Sequence, residues 1–498
     1  MFLGIVLFLL IMVFPAAEGM TFQAKCTAAV ALLMATWWIT EALPIPVTAL
    51  LPLVLFPMLR IIPAKDVAVH YADKNIFLFM GGFFIAMAMQ RWELHKRIAL
   101  YIVKFLGTSP HKIVLGFMVA SAFLSMWISN TATTMMMFPI GLAIILHAET
   151  MLKKAKTDLD LSKGKFNFGT TLMLGIAHAS TIGGIATLVG TPPNIVFVGV
   201  VKSMFPEAPE VSFFDWFKVG LPFVIIFLPI LWVYLTRIIL PIKLKKIPGG
   251  RKVIEEDLNL LGGMKLGEKI TLIVFILVAL AWVFRREINL GFVAIPGWSN
   301  LLGVSKYVHD STVAMIGAVL LFLIPVDFKK REFVLNWEWA KRIPWGIILL
   351  FGGGFALAAG FQSSGLAEWI GKRLSFLGGM PLFVIILCIC LLVTFLTEVT
   401  SNTATTTMIL PVLGSMGVAM GIHPFLLMIP ATMSASCAFM LPVATPPNAI
   451  IFGSGYIRIP EMAKSGFFLN LIGAIIITLI VYFIAIPVFK INILAPPF

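Results

Sequence analysis

Apolar runs recur along the chain near 2–17, 22–39, 45–59, 75–91, 168–200, 212–240, 268–284, 307–326, 344–362, 425–455 and 466–488. A bilayer core of about 30 Å takes roughly 20 helical residues, so these runs are read as helices at membrane depth. Two further segments, 111–147 and 381–418, carry hydroxyl and amide side chains in their middles, where a bilayer offers them no partner. In the first of these the arm from Ala132 to Leu146 would be only about 22 Å long as a helix. It is too short to reach the far side, and the segment is read as a hairpin that enters and returns on one side. The expected fold is an all-α polytopic membrane protein with about eleven transmembrane helices plus two re-entrant hairpins.

The polar interruptions are copies of each other. Ser129-Asn130-Thr131-Ala132-Thr133-Thr134 recurs as Ser401-Asn402-Thr403-Ala404-Thr405-Thr406, an offset of 272 residues that also lays Phe79-Met80-Gly81-Gly82-Phe83 on Phe351-Gly352-Gly353-Gly354-Phe355 and Gln90 on Gln362. Thr191-Pro192-Pro193-Asn194 recurs 254 residues on as Thr445-Pro446-Pro447-Asn448. A polar string followed by a proline-interrupted helix, twice in the same order, is the sequence pattern of a transporter whose site lies between two repeats of broken helices. The division follows: a helix in 1–21, a first repeat 22–242 with hairpin 111–147 and broken helix 168–200, a cytoplasmic linker 243–267, and a second repeat 268–498 with hairpin 381–418 and broken helix 425–455. The charged stretch Lys153 to Asp160 has no counterpart in the second half and reads as a solvated insertion. His95 to Leu106 and Leu366 to Leu377 read as interfacial helices bracing a moving part.

Composition changes this picture little. With 60% apolar and 12% charged residues, the chain has no polar stretch long enough for a soluble domain. Its net charge of +14 is spread between apolar spans, which speaks for topology and against nucleic-acid binding. With the N-terminus in the cytoplasm, about two thirds of the 37 Lys and Arg fall inside. That orientation puts the C-terminus outside and opens the hairpins from opposite sides, so the halves are inverted. Met1 to Ala17 lacks a basic n-region and is read as a retained helix. Cys26, Cys388, Cys390 and Cys437 lie in or beside apolar segments, and no His or further Cys near Cys388-Ile389-Cys390 suggests zinc. No catalytic motif occurs in the spans, which argues against an intramembrane enzyme.

The repeated residues suit a cation and an anion together. Ser125 stands four residues before Ser129, and Thr397 four before Ser401, which stacks the hydroxyls one helical turn apart. The amide oxygens of Asn130 and Asn402 follow, and the Pro-Pro breaks free main-chain carbonyls near Gly190 and Ala444. Neutral oxygens of this kind suit Na⁺ better than Ca²⁺ or Mg²⁺, which recruit carboxylates. Each helix arm that starts after Ser-Asn-Thr offers free amides and a positive dipole end, so two arms match a substrate with two separated carboxylates. Ser and Thr also occur at tight membrane-helix contacts, and Thr-Pro also marks plain kinks, but the ordered duplication of both motifs favours a site. Neither polar string holds a Lys or Arg. The substrate's charge would be balanced by two Na⁺ or, in an exchanger, by a protonated His178; the doubled ligand set favours sodium. Glu41 and Glu398 read as hydrogen-bonding acids and His178 as a packed core residue, with proton carriage as the alternative for the acids.

These residues resemble the divalent anion/sodium symporter family of di- and tricarboxylate transporters, over nearly the whole chain. The resemblance implies a homodimer in the lipid bilayer of a bacterial cell membrane, with an elevator-type transport domain carrying both hairpins against a scaffold domain. It implies Asn130, Thr131, Asn402, Thr403, Thr445 and Pro446 around the substrate, with Thr191 placed beside them. A first sodium site falls on Ser125, Ser129, Asn130 and Gly190, and a second on Thr397, Ser401, Asn402 and Ala444. The substrates implied are C4 and C5 dicarboxylates such as succinate, malate, fumarate or 2-oxoglutarate. The family also holds exchangers without net sodium coupling, and arsenite efflux or sodium/proton exchange share the repeat logic.

Overall fold

The computed structural model describes residues 1–107, 109–154, 160–244, 250–289, 294–374 and 379–493. Helices dominate it. The first are α1 (Phe2–Val13), α2 (Phe22–Thr40), α3 (Ile45–Thr48), α4 (Leu51–Met58), α5 (Ala64–Val69), α6 (Lys74–Arg91) and α7 (Leu94–Leu106). The first polar segment folds as α8 (Pro110–Ser125) and α9 (Asn130–Lys154), followed by α10 (Asn167–Gly184), α11 (Pro192–Met204) and α12 (Phe213–Val233). Then come α13 (Gly250–Leu261), α14 (Leu266–Val283), α15 (Trp298–Leu301), α16 (Asp310–Leu323), α17 (Trp337–Ala340), α18 (Trp345–Ser363) and α19 (Leu366–Leu374). The second polar segment folds as α20 (Leu382–Thr397) and α21 (Asn402–Ala419), followed by α22 (Phe425–Ala435), α23 (Pro446–Phe452) and α24 (Ile459–Ile480). Two short antiparallel strand pairs, Ile288–Asn289 with Ala294–Ile295 and Pro325–Asp327 with Glu332–Phe333, lie between helices.

Among the described residues seven helices are long and apolar enough to cross a bilayer, and six shorter apolar helices accompany them. One of the seven is α9: its 25 residues run past Leu146 to Lys154, so the arm expected to be too short to cross is long enough to do so. The shortening has local causes. The run 45–59 divides into α3 and α4, with prolines Pro46 and Pro52 in their first turns, where a missing amide costs nothing. The runs 168–200 and 425–455 are each cut at the Thr-Pro-Pro, where two prolines start a new helix. The insertion at Lys153 to Asp160 and the linker 243–267 lie partly outside the described residues, at 155–159 and 245–249; so does the end of the segment Leu366 to Leu377.

Small residues set the packing. A methyl group on Gly81 would overlap Ala314, so α6 lies tightly on α16; one on Gly353 would overlap the backbone of Ala49, so α18 lies tightly on the turn after α3. The Tyr71 hydroxyl donates to the Ala49 carbonyl (2.5 Å), the Trp38 indole to that of Ile45 (3.1 Å), and the Thr21 hydroxyl to that of Ser364 (2.9 Å), tying α2, α3 and α18 into one wall. Helix α7 is pinned by Arg97, whose guanidinium bonds both carboxylate oxygens of Glu268 (2.5 and 3.1 Å) and the Gly262 carbonyl (3.0 Å).

Candidate functional site

Each polar segment bends where its serine caps a new helix. The Ser129 hydroxyl accepts from the Ala132 amide (3.3 Å), and the Ser129 carbonyl accepts the first bond of α9 from the Thr133 amide (3.0 Å). The Ser401 carbonyl likewise accepts from the Thr405 amide (2.8 Å). The hydroxyls predicted one turn earlier reach forward to the asparagines. Ser125 Oγ lies 2.5 Å from Asn130 Oδ1, and Thr397 Oγ1 lies 2.7 Å from Asn402 Oδ1 and 3.0 Å from the Ala435 carbonyl.

The backbone closes around these oxygens. A methyl group on Gly184 would strike Asn130 Oδ1 and the Gly190 carbonyl oxygen, and one on Gly190 would strike the Gly184 carbonyl. Only glycines let the chain turn this close to the amide. The result in the first half is a pocket of neutral oxygens with no carboxylate, the donor set that suits a monovalent hard cation.

Two asparagines absent from the predicted site hold the broken loops. Asn194 Nδ2 donates to the carbonyls of Thr187 (2.7 Å), Ile185 (3.2 Å) and Gly184 (3.3 Å). Asn448 Nδ2 donates to Leu441 (3.0 Å) and Ala438 (3.1 Å). The partners correspond at the same 254-residue offset as the asparagines themselves. The signal was present in the sequence as the fourth residue of each Thr-Pro-Pro-Asn. Both amide oxygens are buried and accept no hydrogen bond among the described residues. A buried orphan acceptor is costly, and a cation nearby would relieve it.

All seven residues placed around the substrate, Asn130, Thr131, Thr191, Asn402, Thr403, Thr445 and Pro446, line one cavity of about 920 Å³. Ser129, Ser401 and Ala444 line it as well, whereas Ser125, Thr397 and Gly190 are buried and do not. The oxygens expected to hold a cation therefore sit partly behind the cavity wall. The opposite wall comes from the end of α2, the start of α3 and the start of α18, through Ile39, Glu41, Pro46, Pro344 and Leu350. Glu41 is the one charged side chain among the described residues that line this cavity.

Glu398 and His178 take definite places. The Glu398 carboxylate, 3% exposed, accepts from the consecutive amides of Phe439 (2.7 Å), Met440 (3.0 Å) and Leu441 (3.1 Å) and from Asn470 Nδ2 (2.7 Å). It clamps the break after α22 to the bend between α20 and α21, a hydrogen-bonding role. Asn470 had no signal in the sequence, since it stands alone in an apolar helix. The His178 ring is fully buried with its edge against Phe439 (centroids 5.0 Å), and neither nitrogen has a partner among the described residues. It packs without being hydrogen-bonded. An imidazolium there would be a desolvated charge with no counter-ion.

A family model described as "Sodium:sulfate symporter transmembrane region" matches residues 1–490. The "Sodium-dependent dicarboxylate transporter SdcS" of Staphylococcus saprophyticus is 46% identical over 99% of this chain and 92% of that protein, and the protein of the same name in Staphylococcus aureus is 47% identical over the same shares. Two solved structures share the fold at low identity. They are the Alcanivorax borkumensis YdaH transporter (TM-score 0.56, 13% identical, 91% of this chain and 98% of that one) and Neisseria gonorrhoeae MtrF (TM-score 0.58, 11% identical, 95% and 97%). A helical chain that gathers its duplicated Ser-Asn-Thr and Thr-Pro-Pro-Asn motifs around one cavity, and that matches over nearly its full length, belongs to the sodium:sulfate symporter family.

Proposed function

We propose that this protein is a Na⁺-coupled symporter of C4 and C5 dicarboxylates in the cell membrane. The observation that carries the reading is the doubling of a carboxylate-free oxygen shell, Ser125 with Asn130 and Thr397 with Asn402, on the far side of one cavity wall from the place where the substrate would sit. The relatives named as sodium-dependent dicarboxylate transporters agree with it. Two Na⁺, bound through Ser125, Ser129, Asn130 and Gly190 and through Thr397, Ser401, Asn402 and Ala444, balance the two carboxylates, because no Lys or Arg lines the cavity among the described residues. Each asparagine then turns its oxygen to a cation and its Nδ2 to the substrate. The threonine hydroxyls of Thr131, Thr403, Thr191 and Thr445 complete the anion's shell, and the Pro446 ring bounds it.

The mechanism proposed is an elevator in a homodimer. About eleven spans and two re-entrant hairpins form two inverted repeats; the body carrying α8–α12 and α20–α24 moves against the scaffold that includes the wall of α2, α3 and α18. With the N-terminus inside, the turn at Thr40–Ile45 and Pro344 belong to the cytoplasmic side, so the cavity opens inward. A dicarboxylate exchanger is the second reading, and the unpartnered His178 weighs against the fixed positive charge it would use. Uptake of labelled succinate into proteoliposomes with sodium replaced by choline tests the pair. Uptake into empty vesicles that disappears without sodium is expected; undiminished uptake that requires internal dicarboxylate would replace symport by exchange.

A further inference from the structure

We infer that Glu41 is a fixed negative charge on the stationary wall of the cavity that weakens dicarboxylate binding from the open side alone and so makes the two sides of the transporter kinetically unequal. The inference rests on the alternating-access reading above. It begins with the lining, where Glu41 faces no Lys, Arg or His among the described residues. The basic residues just before Pro344 are engaged elsewhere: Lys341 Nζ pairs with Glu338 (2.5 Å), and the Arg342 guanidinium lies over the Trp339 ring (4.2 Å). The Glu41 side chain, expected from the sequence to be hydrogen-bonded, is instead exposed and makes no hydrogen bond or ion pair among the described residues. Its negative charge acts on the cavity without a local counter-charge.

The backbone gives an independent reason to ask why a glutamate stands here. Glu41 ends α2 in the left-handed conformation, φ 46° and ψ 35°, with its amide bonded to the Trp37 carbonyl. Glycine or asparagine is the usual occupant of such a helix end. A glutamate is strained there, and its side chain makes no cap or ion pair that would compensate. The position has been given a charged side chain that neither the local fold nor a neighbour requires, at the mouth of an anion's path.

The consequence depends on what moves. Glu41 belongs to the wall held by the Trp38–Ile45 and Thr21–Ser364 bonds, whereas Asn130 and Asn402 belong to the two bends opposite. When the bends carry substrate away from this wall, the charge ceases to act on it. A dianion feels twice the repulsion of a monoanion, and in a water-filled cavity that amounts to about two- to tenfold in affinity. The same charge attracts Na⁺, so it favours unloading in which the dicarboxylate leaves before the cations.

Succinate KM measured from each side of full-length protein in oriented proteoliposomes tests this. Glu41→Gln and Glu41→Gly should both lower the KM on the cavity-open side by about two- to tenfold, Glu41→Lys should lower it further, and Glu41→Asp should keep the wild-type value. The KM from the opposite side should stay unchanged in all four, and high salt should shrink the difference between Glu41 and Gln. Agreement of Gly with Gln separates charge from relief of the left-handed backbone. A KM that does not follow charge, or that shifts equally from both sides, overturns the inference while normal flux leaves the proposed function standing. No saturable flux in the unsubstituted protein would bring down both.

Discussion

The bends after α8 and α20 share their letters and their chemistry but not their surroundings. In the first, Trp127 stands edge-on to Phe275 of α14 (4.9 Å) and stacks toward Phe213 of α12 (6.1 Å), while Val189 packs on Gly82 of α6. In the second, the counterparts Val399 and Val443 are 63% and 83% exposed and face the cavity. A duplicated sequence thus gives one closed approach and one open one. Under the alternating-access mechanism proposed above, this is what one conformation should show, with one bend covered while its counterpart is bare.

The severest way to break the comparison is to put a charge into each bend. Asn130→Asp and Asn402→Asp keep the size of the side chain but remove both amide donors and add a negative charge facing the dianion. Transport should fall by orders of magnitude in either variant while the protein still folds and elutes normally from a sizing column. Normal uptake by one of the two would mean that only the other bend touches substrate.

The next change acts on a side chain the halves do not share. Glu398 aligns with Met126, and its clamp has no equivalent in the first half. Glu398→Gln leaves one acceptor for four donors; losing charge-assisted bonds worth about 2 kcal/mol to a buried loop should reduce uptake roughly thirtyfold. Met126→Leu should leave uptake close to normal. Equal effects would show that the carboxylate does not hold the second site in shape.

A gentler probe leaves the chemistry alone and reads exposure. In a background without the native thiols, Cys at Val399 should react quickly with a membrane-impermeant maleimide from the open side, and Cys at Trp127 slowly. Saturating sodium and succinate should narrow the gap as the carrier samples its other state. Labelling at equal rates without substrate would remove the proposed asymmetry.

Much of this was legible because membranes leave sequence little freedom. Long apolar runs, and polar strings where none should be tolerated, pointed to a helical membrane protein with bends at Ser129 and Ser401, and the family resemblance supplied most of the residues that the structure gathers on one cavity. The repeat did the rest, since residues that recur at a fixed offset point to equivalent places. What recurrence cannot report is environment: Glu398 occurs once, Asn470 once, and the exposure of Val399 against the half-buried Trp127 arises from which neighbours each bend meets. The division of 45–59 into α3 and α4 was missed because hydropathy counts apolar residues and is blind to prolines that restart a helix. His178 was expected to pack in the core, as it does, but that neither nitrogen has a partner among the described residues was not readable from an apolar context.

The two asparagine clasps bear on which ions can pass. Each ties the carbonyl dipoles of a loop to one rigid amide, Asn194 over Gly184–Thr187 and Asn448 over Ala438–Leu441. A loop held in this way neither tightens around a narrow ion nor spreads for a wide one. If the proposed sodium sites use these carbonyls, ionic radius would be gauged by a fixed aperture, with lithium under-coordinated and potassium resisted by strain in the chain.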